Sequence, residues 1–156
     1  MKPRTKKAVR KVAKKVAKQT DAKPTSSAEH HRVLRKQHES EAAQDYCEVI
    51  AELLDSGVEA RVGRIAERFG LSHVTVSRVV RRLAREGYIV AHARAPLGLT
   101  PRGRALATEA RARHEVVVAF LRAIGVDERT AQADAEGIEH HVSPATLRAM
   151  ARVAGK

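Results

Sequence analysis

Apolar residues recur at helical spacing along most of the chain, and the breaks in that spacing mark its turns. Ala43, Tyr46, Cys47, Ile50, Leu53 and Leu54 form one stripe, which predicts a helix from Ser40 that Asp55-Ser56-Gly57 stops. Two further helices follow within "RVGRIAERFGLSHVTVSRVVRRLAREGYIV", joined by a tight turn at Gly70-Leu71-Ser72, with Ser72 as N-cap of the second. The pattern then shortens. "YIVAH" and "LGLT", separated by "ARAP", read as a two-stranded hairpin. Thr100-Pro101 opens a long helix, with Thr as N-cap and Pro in the first helical position, that runs to Gly125. Asp127 caps a helix containing "DAEGIEHHVS", and Ser143-Pro144 caps a last one ending near Val153.

Aromatic residues make up only 3% of the 156-residue chain, so aliphatic side chains must supply the core, which favours an all-α-dominated fold. No apolar run approaches the roughly 20 residues of a membrane span, and the basic start does not lead into the apolar segment of a secretory signal. One cysteine, Cys47, excludes an internal disulfide framework and fits a reducing cytosol. The net charge of +12 is uneven. Residues 1–40 hold 13 Lys and Arg against three acids, and the rest is close to neutral. We therefore expect residues 1–37 to be a disordered basic extension, with the ordered protein beginning between His31 and Ser40. Such an extension attracts nucleic acid without reading sequence, or serves only solubility.

Two helices, a short turn and a hairpin form a winged helix-turn-helix, expected over 38–108. In its second helix Val76, Val79, Val80 and Leu83 take the inward register, leaving Arg78, Arg81, Arg82 and Arg85 on the other side. Recognition helices enter the major groove N-terminal end first, so His73, Thr75, Ser77 and Arg78 are base-edge candidates. Arg81, Arg82 and Arg85 are phosphate candidates, and Arg94 is a wing contact to the backbone or minor groove. An arginine-rich face can also be merely solvated. Here the turn, cap, register and hairpin agree, which favours DNA binding.

The stretch 134–143 raises a separate question. On an ideal helix Glu136, Glu139 and His140 share a face, while His141 lies about 140° from Glu136. Asp45 and Glu48 are an i, i+3 acidic pair, and His114 sits where a basic helix surface becomes apolar. Each has a bland reading: a solvated acidic face, two surface acids, a satisfied core histidine. Together they offer an oxygen-rich site with imidazole nitrogen, suited to Mn²⁺ or Fe²⁺ and able to take Zn²⁺ or Co²⁺.

The layout from "DYCEVI" through the winged helix, "RHEVVVAFLRAIGVD" and "DAEGIEHHVS" resembles the manganese transport regulators of the diphtheria-toxin-repressor family over residues 38–153. The resemblance implies metal ligands at Asp45, Glu48, His114, Glu136, Glu139 and His140, binding two closely spaced Mn²⁺ ions per subunit. It implies a helical metal-binding and dimerisation domain over 109–156. The iron-sensing branch places Met and Cys where this chain has Asp45 and Glu136, and hard carboxylate oxygen favours Mn²⁺ over softer ions. That branch usually carries an SH3-like C-terminal domain, for which no residues remain after Lys156. The implied protein is a homodimeric, manganese-responsive repressor of manganese uptake genes, cytoplasmic and nucleoid-associated. It would bind palindromic operator DNA, with no membrane, no small-molecule substrate and no enzymatic activity. Its rivals are an iron-responsive repressor of the same family and a winged-helix regulator sensing a small molecule without metal. Cys47 should face the core rather than act as a ligand or redox sensor.

Overall fold

The computed structural model describes residues 27–155, and the basic extension before Ser27 lies outside them. Six helices and a small hairpin follow in order. They are α1 (Ser27–Asp55), α2 (Val62–Phe69), α3 (His73–Arg85), β1 (Ile89–Val90), β2 (Gly98–Leu99), α4 (Pro101–Ala123), α5 (Glu128–Ile138) and α6 (Pro144–Val153). Residues 38–156 form one compact unit.

Helix α1 starts at Ser27, before the Ser40 start that its apolar stripe predicts. Residues 27–39 have no such stripe, but Glu29, Arg32, Leu34, Arg35 and Gln37 are good helix formers, and Glu29 favours the positive helix start. The helix therefore extends ahead of the packed part.

Three clusters make the core. Tyr46 and Ile50 of α1 pack with Ile65 and Ala66 of α2, Val76, Val80 and Leu83 of α3, and Ile89 and Leu97 of the wing. Val117, Val118 and Leu121 of α4 pack with Ala131 and Ala135 of α5, with Leu147 and Met150 of α6 against them. Between these, Cys47, Ala51 and Ala107 form a small cluster joining α1 to α4. Burial pushes the Cys47 thiol up to about 11, so it stays protonated near neutral pH, with little thiolate for redox or ligand chemistry.

The hairpin is shorter than expected. Ile89 pairs with Leu99 and Val90 with Gly98, and the next wing residue turns elsewhere. Leu97 N–H donates to the Ala60 carbonyl at 2.7 Å, bridging the wing to the segment before α2. Helix α5 is also shorter. It stops at Ile138, with Glu139 as C-cap, so Glu139 and His140 stand in the turn after the helix rather than within it. Ser143 precedes Pro144 and is extended, which closes this turn.

Gly103 explains how α4 meets the wing. The Thr100 hydroxyl donates to the Gly87 carbonyl at 2.7 Å and accepts from Gly103 N–H, which brings the first turn of α4 onto Tyr88. A Cβ at 103 would fall on the Tyr88 carbonyl and stand 3.1 Å from Leu99 Cδ2. Gly103→Ala should therefore cost about 1–3 kcal/mol by overpacking. Gly137→Ala, in open space within α5, should instead gain roughly 0.5–1 kcal/mol. Urea denaturation of both variants checks the contrast.

Candidate metal centre and nucleic-acid interface

All six sequence-predicted ligands line one open cleft of about 600 Å³. Asp45 and Glu48 come from α1, His114 from α4, Glu136 from α5, and Glu139 and His140 from the turn after it. Glu41, Val49, Glu52, Arg68, Phe69, Arg111 and Gln132 complete its wall, so two arginines also border the acids.

Glu139 is at the centre and only 3% exposed. Its Oε2 stands 2.7 Å from His114 Nδ1, and its Oε1 stands 3.5 Å from His140 Nε2. His114 Nδ1 is also 3.8 Å from Glu136, and His140 Nε2 is 3.4 Å from Asp45. Burial raises the Glu139 carboxyl above its ordinary range, against the pull of His114 and His140. Burial also lowers His114, but its hydrogen bonds to Gln132 and Glu139 outweigh this and leave the imidazole above its usual value. Each of the pair is thus shifted toward holding a proton. Burial, and then repulsion from Glu139, Asp45 and Glu136, pushes Glu48 up to about 7, and burial raises Asp45 as well.

Four carboxyls held above their ordinary range or crowding those that are, with two imidazoles among them, are a donor set that fits a hard divalent cation. Among the described residues, no three of these side chains already stand around a common point. They pair with one another instead. His141 stands apart, 64% exposed and 3.7 Å from Glu41, outside the cleft lining as its position predicts.

Sequence reasoning missed three residues that hold this arrangement. Arg113 donates to the Glu139 and Val142 carbonyls, tying the turn that bears Glu139 and His140 to α4. Gln132 and Gln44 contact the outer nitrogens of His114 and His140. Arg113 was visible beside His114 in "RARHEVV", but a bond to a main-chain carbonyl leaves no mark on side-chain spacing.

The second site is the exposed side of α3. Gly70, left-handed at φ 62°, makes the turn, and the Ser72 hydroxyl accepts from Thr75 N–H. Arg78, Arg81 and Arg85 face a groove of about 440 Å³ beside Ala91 of the wing. His73 and Thr75 are exposed at the helix start, with the Thr75 hydroxyl engaged to Ser72 at 2.9 Å and the His73 ring lying over Gly63. Ser77 is half-buried, and its carbonyl accepts from Arg81 Nε. Arg94 is exposed in the wing, at φ 61°. Arg82 departs from the group. Its side chain is 22% exposed, turned toward α1, and donates to the Glu39 carbonyl at 3.2 Å.

Glu48→Gln should raise the melting temperature of metal-free protein by roughly 2–4 °C. A carboxyl whose folded value is raised favours the protonated fold, so the repulsive penalty is absent below the ordinary carboxylate range. It grows as pH rises and is complete above about 7. The gap between variant and wild type should therefore widen from acid to pH 8 in thermal melts with chelator.

Two family models together cover nearly all of the described residues. Residues 38–96 match the family described as "Iron dependent repressor, N-terminal DNA binding domain". Residues 100–156 match "Iron dependent repressor, metal binding and dimerisation domain". The chain is 43% identical over 121 residues to the transcriptional regulator MntR of Salmonella typhimurium, covering 78% of this chain and 77% of that protein. It is 41% identical over 100 residues to the HTH-type transcriptional regulator MntR of Lysinibacillus sphaericus, covering 64% and 72%. A manganese-dependent transcriptional repressor solved with manganese superposes with a TM-score of 0.66 at 31% identity, over 72% of this chain and 52% of that one. The chain spans about half the length of such solved structures. Among the described residues no helix is long and apolar enough to cross a membrane. These relatives are transcriptional regulators, not enzymes. The chain belongs to the MntR/DtxR family of metal-dependent, DNA-binding transcriptional repressors, which combine a winged helix-turn-helix with a helical metal-binding and dimerisation domain.

Proposed function

We propose that this protein is a manganese-responsive repressor that binds palindromic operator DNA as a metal-loaded homodimer and controls manganese uptake genes from the cytoplasm. The observation that carries this reading is the shared cleft, whose lining includes Asp45 and Glu48 from the helix beneath the winged helix and Glu136, Glu139 and His140 from the C-terminal part. All four carboxylates are hard oxygen donors and no thiolate joins them, which favours Mn²⁺, with Fe²⁺ the nearest competitor. The family resemblance implies two ions per subunit. A bound cation supplies positive charge that offsets the mutual repulsion of Asp45, Glu48, Glu136 and Glu139.

The chain's own residues convert that into DNA binding. Asp45 and Glu48 share α1 with Tyr46 and Ile50, which pack against α3. Drawing the acids toward His114 and Glu139 fixes α1, and so α3, relative to the C-terminal helices. Two subunits related by a two-fold axis would then hold both α3 helices at one half-site spacing. By linkage, operator DNA tightens metal binding by the factor by which metal tightens DNA binding. His73, Thr75, Ser77 and Arg78 would meet base edges, Arg81 and Arg85 phosphates, and Arg94 the backbone beside the wing.

The test selects bound fragments from the genomic DNA of the source organism with Mn²⁺, with Fe²⁺ under anoxia and with chelator. Enrichment of a palindrome only with metal supports the reading, and equal enrichment in chelator rejects it. On the selected site, His140→Ala should abolish metal-dependent binding in fluorescence anisotropy, whereas His141→Ala should leave it within a few-fold of wild type.

The phosphate contacts separate in a salt titration. Arg81→Ala and Arg85→Ala should each weaken binding across sequences and lower the slope of log affinity against log salt by about 1. Arg82→Ala should leave that slope unchanged and reduce thermal stability, because its guanidinium is turned to α1.

A further inference from the structure

We propose that Val74 is a specificity-determining residue that reads the C5-methyl group of a thymine in the major groove of the operator. This rests on the operator-binding reading above. Val74 is 66% exposed, the most exposed large apolar side chain among the described residues. A lone exposed valine is ordinary on a protein surface. Its place in α3 sets this one apart. It lies in the first turn, the end that recognition helices insert into the groove. Val74, Arg78, Arg81 and Arg85 follow at i, i+4, i+7 and i+11, which puts them on one face of the helix. All four are exposed, and the three arginines face the groove beside Ala91 of the wing. The opposite face carries Val76, Val80 and Leu83 into the core. Val74 thus heads the outer stripe.

In the free protein its neighbours are already engaged. The His73 ring lies over Gly63 of α2, where an added Cβ would stand 3.3 Å from His73 Cε1. The Thr75 hydroxyl is 2.9 Å from the Ser72 hydroxyl, which also caps the helix. Val76 is buried and Ser77 half-buried. Val74 presents its side chain to solvent, and covering its methyl groups with another apolar group is favourable. Base edges in the major groove offer donors, acceptors and one apolar group, the thymine methyl. A valine side chain has no donor or acceptor, so that methyl is the feature it can favour. Arg78, four residues on, lies about 6 Å along the helix axis, and a guanidinium pairs with guanine O6 and N7. The stripe therefore suits a thymine and a guanine within about two base pairs of each other.

The test uses the full-length chain and the DNA site that it selects. Each thymine is replaced in turn by deoxyuridine, which removes only the methyl group, and affinity is read by fluorescence anisotropy at one salt concentration. One thymine in each half-site should be sensitive, with wild type losing about 4-fold per half-site, the worth of one buried methyl group. Val74→Ser should bind the thymine and deoxyuridine sites equally. Val74→Thr, which keeps one γ-methyl, should retain part of the difference. Each comparison sets two DNAs against one protein, so a change in the stability of a variant cancels. A wild type indifferent to every thymine replacement would overturn the proposal. So would a Val74→Ser protein that keeps the full wild-type discrimination. A site selected equally with chelator that still shows the methyl effect would uphold the role of Val74 and reject the manganese reading.

Discussion

The buried carboxylate of Glu139 is the constraint around which the C-terminal half is arranged. A nearly fully buried carboxyl is costly unless it is paired, and here its two oxygens face two imidazoles from different parts of the chain. That requirement sets the distance between α4, which carries His114, and the end of α5. Arg113 reinforces it by satisfying the Glu139 carbonyl, one of the main-chain acceptors left open at the end of the helix. The helix therefore ends where the site needs a turn, and His140 is delivered toward α1 rather than along α5.

Helix α1 is the element that the cleft and the winged-helix core share. Tyr46 and Ile50 belong to the winged-helix core, Cys47 and Ala51 touch α4 through Ala107, and Asp45 and Glu48 face the cleft. A change in charge at the cleft thus acts on a helix whose other side packs on the recognition helix. Arg82 adds a second link, from α3 to the main chain of α1 at Glu39. The same arginine is turned toward α1, whereas Arg78, Arg81 and Arg85 face the groove beside the wing.

Much of this was legible in one dimension because it follows from periodicity and local chemistry. The stripe from Ala43 to Leu54, the Ser72, Thr100, Asp127 and Ser143 caps and the Gly70 turn are set by residues within a few positions of one another, and the structure has each of them. The six candidate ligands could be named because they recur in a family pattern, and the structure brings all six to one cleft. The extent of α1 before Ser40 was less legible, since a helix with no apolar face leaves no periodic signal.

The sequence by itself determined the helical order, the turn chemistry and the donor types, because each depends on neighbours three or four residues away. Tertiary structure alone decided that α5 stops at Ile138, since the Arg113 contacts that satisfy the following turn come from a helix 26 residues earlier. It alone decided that Arg82 turns inward while Arg81 and Arg85 stay out, because α1 is there to receive it. It also decided which nitrogens of His114 and His140 meet the carboxylates. The opposite ring nitrogens contact Gln132 and Gln44, which lie 18 and 96 positions from those histidines, and no local pattern encodes a distance of that kind.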